Sequence, residues 1–539
     1  MQRRIFIAAS AASLASVASI ASGGVRAPAS ELSARRLHRA RDGNLTSLDP
    51  HRPVSAADME IAADLFCGLT ATAANGELVP GCAQTWQISA DGLHYRFKLR
   101  SGLRWSDGSA LTAMDFVRSF RRLLDPATAA LLAYRYQAIA GAADLLAGRA
   151  KPESLGVSAP DEHTVEFRLL RPEVDLLKLL TIAYVVPSAA IARWGRDWAK
   201  PPQIVVNGAY VPYSWAQGGS LLLARNDQFF DAAAVKIERL GWFMGLDDAT
   251  RLRLFRAGEL DVAKLVENSQ LTMARREFAA QLHSESFYGG GWVGLQTQRP
   301  VLRDLRVRGA LAMSIDRTAL VDKVRGLGER STDSFVPDAV RDYPNHASPE
   351  YAAWPLTRRM RVAAELMQAA GYSATRPAKL VSIFSANALT QRSFLALAAM
   401  WQRIGVSLDI QGMETRAYNI ALRAGNFDLM DYQPFSAVQS ATSFIGRFQS
   451  RSFLNYSHYA SAEVDVLIDR AESQPDSASR SRHYFSAEQI LLRDWPAIPL
   501  YSGTNHRLVA ARVGGWTANP GLALPSRYLY WAKSASVST

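Results

Sequence analysis

Hydrophobic and polar residues follow clear periodic patterns between residues 65 and 125. From residue 93 to 99 every second residue is apolar, with polar or charged residues between them, and this period of two predicts a half-buried strand. Asn75-Gly76 and Asp91-Gly92 are typical of β-hairpin turns, because both central positions of a type I′ turn need positive φ. From Phe116 to Leu124 the apolar spacing becomes helical, and Asp125-Pro126 ends the predicted helix.

Helix and strand patterns alternate through the rest of the chain. Thr250 to Val262 reads as a helix followed by a strand, and residues 360 to 411 contain two further helix–strand units. An α/β fold with a mostly parallel sheet flanked by helices is the simplest structure for this alternation. A chain of 539 residues has room for at least two lobes.

The N-terminus differs from the rest of the chain. Arg3-Arg4 precede an apolar, small-residue run, and Ala27-Pro28-Ala29 offers a cleavage site, with Ala21 as a rival. This composition predicts that residues 1–29 are a secretory signal. The two arginines fit either an ordinary basic start or a twin-arginine export motif. Because no cysteine lies near the cleavage region, we expect an unanchored periplasmic protein.

Charge and motifs exclude several classes of function. The net charge is +12, or about +9 after removal of residues 1–29, but the basic residues are scattered. We therefore expect no nucleic-acid partner. The chain has no recognisable catalytic motif, and Gly289-Gly290-Gly291 lacks the lysine and helix of a phosphate loop. The sequence thus predicts neither an enzyme nor a bound cofactor.

Two cysteines flank the Asn75-Gly76 turn. Cys67 and Cys82 are the whole cysteine content of the chain, and an oxidising compartment would allow them to form a disulfide. The hairpin brings them near each other without placing them clearly opposite, so a bridge and two free thiols both remain open. Two cysteines without nearby histidines predict no metal site.

Several ordered segments resemble one protein family. The segments SLDP (47–50), PGCAQTW (80–86), WSDG (105–108), TAMDFV (112–117) and DLRVRGALAMSIDR (304–317) occur in sequence. Together they resemble the periplasmic solute-binding proteins of peptide ABC transporters, the oligopeptide, dipeptide and nickel group. The resemblance implies a bilobed periplasmic-binding-protein fold (class II, cluster C), with an extra small α+β domain on the first lobe.

The resemblance also implies a division of the chain into domains. The first lobe would combine residues 30–66, 190–288 and 502–539, the accessory domain would be 67–189, and the second lobe 289–501. The implied function is that of a monomeric receptor, which traps a peptide or peptide-like solute between its lobes. The inner-membrane permease of an ABC importer would then recognise the closed form.

Two segments of the first lobe and accessory domain are candidates for contact with the ligand. In the family the loop after the SLDP turn lines the cleft, which implies Val54, Ser55 and Ala56 here. Ser55 also fits a helix N-cap with no further role. An aromatic residue near Tyr134 and Tyr136 faces the ligand in relatives, although both tyrosines also fit ordinary packing.

The second lobe departs from the family at the ligand. In peptide-binding relatives an Asp in a W-x-x-D segment holds the peptide ammonium group, because a desolvated cation needs a nearby anion. An alignment without gaps places Ala437 at that position. A shift of the loop would bring Asp431 to that position instead. A further alternative is that the loop only closes the lobe and the ligand binds elsewhere. The remaining ligand candidates of this loop are Gln433, Phe435, Ser436 and Gln439.

This departure leaves a non-peptide ligand as an alternative. The polar side chains of the loop suit an amide-, hydroxyl- or phosphate-bearing ligand, such as an opine or a sugar-phosphate conjugate. Haem or a chelated metal would need histidine or methionine in the cleft, but His51, His458 and His506 are isolated in the sequence.

Overall fold

A computed structural model describes residues 35–53, 55–474, 476–521 and 524–533. The predicted signal segment and the candidate Val54 lie outside the described residues. None of the helices in the described part of the chain is both long and apolar enough to span a bilayer.

The described residues form nineteen strands and fifteen α-helices. The strands are β1 Arg36–Ala40, β2 Thr70–Thr72, β3 Leu78–Pro80, β4 Ala83–Ile88, β5 His94–Leu99, β6 Val157–Asp161, β7 Thr164–Arg168, β8 Tyr210–Trp215, β9 Ser220–Arg225, β10 Arg239–Phe243, β11 Val262–Leu265, β12 Leu282–Leu295, β13 Arg330–Ser331, β14 Ala378–Ser385, β15 Val406–Met413, β16 Leu429–Tyr432, β17 Ala497–Val509, β18 Val513–Gly514 and β19 Tyr530–Trp531. The helices are α1 Ala56–Leu65, α2 Ala113–Leu124, α3 Ala142–Leu146, α4 Leu176–Leu179, α5 Ser188–Trp194, α6 Asp248–Arg256, α7 Asn268–Glu277, α8 Leu305–Met313, α9 Arg317–Ala319, α10 Leu356–Ala369, α11 Ala388–Gln402, α12 Thr415–Ala424, α13 Thr442–Ile445, α14 Ala462–Ser473 and α15 Ser477–Asp494.

The largest sheet runs through both halves of the molecule. The first half is built around residues 37–274 and 508–529, and the second around residues 288–501. Its order is β15-β14-β16-β12-β17-β11-β1-β10-β9-β8, with β13 paired to β17. The prediction of a mostly parallel sheet is wrong. The strands β14 and β1 pair in parallel with their neighbours, but β12 and β17 pair antiparallel with every strand they touch. These two long strands pass from one half to the other, so they cannot follow the local helix–strand repeat.

The three consecutive glycines lie where β12 crosses β17. A Cβ at Gly290 would lie 2.4 Å from the carbonyl oxygen of Tyr501, and one at Gly291 would lie 2.2 Å from its ring. Such distances exclude any larger side chain at this close approach of two backbones. Packing at the crossing therefore accounts for a glycine run that is not part of a phosphate loop.

The buried apolar residues divide into two hydrophobic cores. One core draws on residues 37 to 274 and 508 to 529, with Val438 added from the other half. The second core draws only on residues between 288 and 501. This division supports the predicted limits of the two lobes, which remain a prediction.

The segment from residue 67 to 189 contains a separate antiparallel sheet of four strands, in the order β4-β5-β7-β6. The predicted strand is β5, whose apolar side chains are buried and whose polar ones are exposed. The predicted hairpin turns also form, with Gly76 at φ 86° and Gly92 at φ 69°. Helix α2 begins with Thr112 and Asp115 in a capping box.

Candidate functional site

A cavity of about 860 Å³ lies between the two halves of the molecule. The first half contributes Met59 from α1, and the segment 67–189, the accessory unit, contributes Leu131, Leu132, Tyr134, Arg135 and Ile182. The second half contributes the ends of β14 and β16, helix α12, and the loops around residues 433–438 and 453–456. A largely apolar cavity with a few polar groups at such a junction is the usual form of a small-molecule site.

The loop after β16 is fixed by backbone hydrogen bonds to β12. The Gly290 amide donates to the Pro434 carbonyl at 3.1 Å, and the Ser436 amide donates to the Tyr288 carbonyl at 2.8 Å. Ser436 is almost fully buried, and its hydroxyl donates to the Val438 carbonyl at 2.7 Å. The loop therefore has a defined shape, with Gln433, Phe435, Ser436 and Ala437 in the cavity lining.

The cavity has a single carboxylate among the described residues of its lining, that of Asp431 on β16. Gln433 Nε2 donates to Asp431 Oδ2 at 2.8 Å. Burial raises the pKa of Asp431 to about 6, and the positive charge of Arg325 acts in the opposite direction. This carboxylate is therefore mostly charged at neutral pH, and it becomes neutral as the pH falls below about 6.

Three arginines line the same cavity: Arg135, Arg423 and Arg447. Among the described residues the acceptors of Arg447 are all neutral: the Ser443 carbonyl at 2.7 Å, the Phe435 carbonyl at 3.0 Å and the Tyr432 hydroxyl at 3.2 Å. Arg135 donates to Ser443 Oγ at 2.7 Å. The lining thus carries more positive than negative charge.

Some of the predicted site residues lie elsewhere. The Ser55 hydroxyl accepts from the Asp58 amide at 3.1 Å and caps α1 in a capping box, and neither Ser55 nor Ala56 belongs to the cavity lining. Tyr134 does line the cavity, whereas Tyr136 is buried and donates to the Leu179 carbonyl at 3.0 Å. The ligand roles of these residues stay predictions.

Gln439 has a different position from the rest of its loop. Its backbone carbonyl accepts from Lys178 Nζ at 2.7 Å, and its side chain accepts from the Tyr288 hydroxyl at 3.4 Å. Lys178 also pairs with Asp342 at 2.9 Å. Gln439 thus lies where the accessory unit contacts the second half, beside the cavity rather than in its lining.

Polar contacts of the accessory unit hold the two halves together. Besides Lys178, Arg171 pairs with Glu472 and the Ser440 hydroxyl donates to Asp175. The rings of Tyr134 and Phe453 meet edge to face with centroids 4.5 Å apart. The structure therefore has its two halves in contact around the cavity.

Sequence reasoning missed much of the lining. Met59 lies one turn after the predicted loop, Ile182 lies in an irregular segment, and Arg423, Arg447 and Tyr456 come from separate elements. Of these lining residues, helical spacing from Ser55 could have indicated Met59. The other lining residues come together only when the two halves pack, so no local pattern in the sequence indicates them.

Cys67 and Cys82 are both buried free thiols in the structure. The Cys82 thiol lies 3.6 Å from the Cys67 carbonyl oxygen, and Asn207 Nδ2 donates to Cys82 Sγ at 3.4 Å. A bridge between them stays a prediction. Among the residues that the structure describes, no group of three His, Cys, Asp or Glu side chains is arranged to hold a metal.

Comparison with known proteins places this geometry in a family. The model of the family described as bacterial extracellular solute-binding proteins, family 5 Middle, matches residues 77–454. The periplasmic oligopeptide-binding protein OppA of Escherichia coli (strain K12) is 31% identical over 492 residues, or 90% of each chain. A probable deoxycholate-binding periplasmic protein of that organism, YgiS, is 31% identical over 490 residues, covering 90% of this chain and 91% of its own.

A solved structure shows the same architecture. That of the Escherichia coli murein tripeptide binding protein MppA has a TM-score of 0.84 at 28% identity, covering 93% of this chain and 99% of its own. This likeness confirms the predicted periplasmic-binding-protein fold. With the family model matching well over half of the sequence, the chain belongs to family 5 of the bacterial extracellular solute-binding proteins.

Proposed function

We propose that the protein is the periplasmic substrate-binding receptor of an ABC importer, and that it captures a peptide or peptide-like solute. The observation that carries this proposal is the cavity of about 860 Å³ between the two halves. An inner-membrane permease would receive the ligand from the closed form, as in other bilobed receptors. Export by the N-terminal segment and action as a monomer belong to the same proposal.

The relatives favour a peptide over the other ligands considered. An oligopeptide-binding relative and a murein tripeptide-binding structure cover nearly the whole chain. An opine, a sugar-phosphate conjugate, haem or a chelated metal is accordingly not favoured. The relatives are binding proteins, and we propose that this chain likewise binds its solute without changing it.

Calorimetry with purified mature protein tests this function. Short peptides of two to five residues should bind at micromolar or tighter affinity and raise the unfolding temperature, because a ligand that binds only the folded state stabilises it. Deoxycholate serves as a parallel arm, since one relative is named for it. Binding of no peptide in any length class would refute the peptide proposal, and turnover of a bound peptide would refute the receptor role.

A further inference from the structure

The charged side chains that line the cavity indicate which class of ligand it binds. Arg423 lies on α12 with its side chain exposed, and Arg447 follows α13. In the described part of the chain no carboxylate lies within ion-pairing distance of either guanidinium group, and the acceptors of Arg447 are two carbonyls and one hydroxyl. An arginine held only by neutral partners keeps its full charge available to a ligand.

The two arginines line the cavity together with Tyr456. The ring of Tyr456 meets that of Tyr432, whose hydroxyl accepts from Arg447, with centroids 5.7 Å apart. Arg423 and Tyr456 also line a second pocket of about 380 Å³, which adjoins the main cavity at Leu422 and Phe453. Arg423 and Tyr456 therefore stand where the two pockets meet, and Arg447 lines the main cavity.

The rest of the cavity offers little to a cation. Ala437 occupies the position where the family resemblance implies an ammonium-binding carboxylate. The one acidic side chain of the described lining, Asp431, is influenced by the charge of Arg325 and already accepts from Gln433. The third arginine, Arg135, lies near Asp175 of its own unit, which offsets part of its charge.

Apolar side chains form much of the remaining wall, beside polar ones such as Ser385, Asn387 and Asn419. Met59, Leu131, Leu132 and Ile182 form one side, and Val438 and Leu454 belong to the other. Such walls bind an uncharged body through burial of apolar surface. An apolar body with a negative group near one end would match both features at once.

We propose that the cavity selects ligands of net negative charge with an apolar body, whose anionic group docks between Arg423 and Arg447 beside Tyr456. This inference rests on the proposed receptor function and narrows its substrate class to acidic peptides and peptide-like carboxylates. Charge complementarity of this kind discriminates between ligands more than it adds to affinity.

Three peptides of equal length test the inference. They share apolar residues and differ at one position, which holds glutamate, glutamine or lysine. Calorimetry should show the glutamate peptide binding roughly five-fold or more tighter than the glutamine peptide, with the lysine peptide weakest. Raising the salt concentration from 50 to 500 mM should shrink this preference, because ions screen exposed charges.

A matched pair of variants assigns the preference to the site. Arg423→Gln should reduce the advantage of the glutamate peptide about three-fold, as expected for loss of one partly exposed charge. Arg403→Gln removes the same charge from an exposed position at the end of α11. Arg403 lies at the edge of the sheet where β15 begins, roughly 23 Å by strand length from the edge that lines the cavity. The Arg403→Gln variant should therefore leave the preference for the glutamate peptide unchanged.

The possible results distinguish failure of the charge selection from failure of the proposed receptor function. Equal binding of the three peptides would overturn the charge selection and leave the peptide receptor standing. If no peptide binds but deoxycholate does, and Arg423→Gln weakens its binding, the charge selection holds and the peptide proposal fails. If neither peptides nor deoxycholate bind, both proposals are overturned.

Discussion

Ala437 is the residue at which a single side chain should change ligand preference. It lines the cavity and is partly exposed, so an aspartate there would place a carboxylate beside the ligand. We expect Ala437→Asp to weaken binding of acidic peptides and to favour free N-termini over acetylated ones by about ten-fold, since a buried ammonium gains a charged partner.

Matched peptide pairs measure this effect. Calorimetry would compare one neutral peptide with its acetylated form on both proteins, and Ala437→Asn controls for size without charge. If the aspartate variant shows no gain for the free N-terminus, the position does not contact the ligand terminus.

Asp431 should make binding of an anionic ligand depend on pH. Burial raises the pKa of Asp431 to about 6, with Arg325 opposing the shift and Tyr418 and Tyr501 nearby. Below that pH the carboxylate is neutral and no longer repels an anion. We therefore expect the affinity for an acidic peptide to rise about three- to ten-fold as the pH falls from 8 to 5, where a glutamate side chain is still mostly ionised.

The control for this titration is Asp431→Asn, which should bind with nearly constant affinity across the same range. The opposite trend would be equally informative. If affinity falls on acidification in the native protein and not in the variant, Asp431 holds a cationic group of the ligand, and the site does not select anions.

At the scale of elements, helix α1 shows how a cap and a ligand contact can be told apart. The Ser55 hydroxyl accepts from the Asp58 amide, and the Asp58 carboxylate accepts from the Ser55 amide at 2.9 Å. We expect Ser55→Ala to lower the free energy of unfolding by about 1 kcal/mol through loss of the cap, measured as a lower urea midpoint. Ligand affinity should stay unchanged.

The variant Ser55→Asp also tests whether Ser55 acts only as the cap of α1. Aspartate is an effective N-cap, so this variant should recover most of the lost stability. A fall in affinity with Ser55→Ala at constant stability would instead restore Ser55 to the ligand site.

Local patterns explain which elements were predictable. The strand β5, the turns at Gly76 and Gly92, and the cap of α1 at Ser55 follow from neighbouring residues, and the structure contains all of them. The antiparallel direction of β12 and β17 was not predictable in this way, because it depends on how two distant halves are joined. Arg423 and Arg447 were missed for the same reason, since each is an ordinary surface residue until the lobes meet.

At the scale of the whole molecule, the contact between the two halves depends on Lys178 of α4. Its ammonium group bridges Asp175 of its own unit and Asp342 of the other half, at 3.1 and 2.9 Å, and also donates to the Gln439 carbonyl. Both carboxylates are mostly shielded from water. Removing the lysine would leave them facing each other without a cation, which raises the free energy of the closed arrangement alone.

We therefore expect Lys178→Met to weaken ligand binding about ten-fold and to enlarge the radius of gyration at subsaturating ligand, as measured by calorimetry and small-angle X-ray scattering. The weaker affinity reflects the smaller fraction of closed molecules, because apparent affinity scales with the population of the binding form. Lys200→Met is the matched control, since Lys200 pairs at 2.7 Å with Asp197 within one unit. If both variants bind and scatter like the native protein, the bridge at Lys178 does not stabilise closure, and other contacts between the halves, such as the Arg171–Glu472 pair and the Tyr134–Phe453 rings, must hold them together.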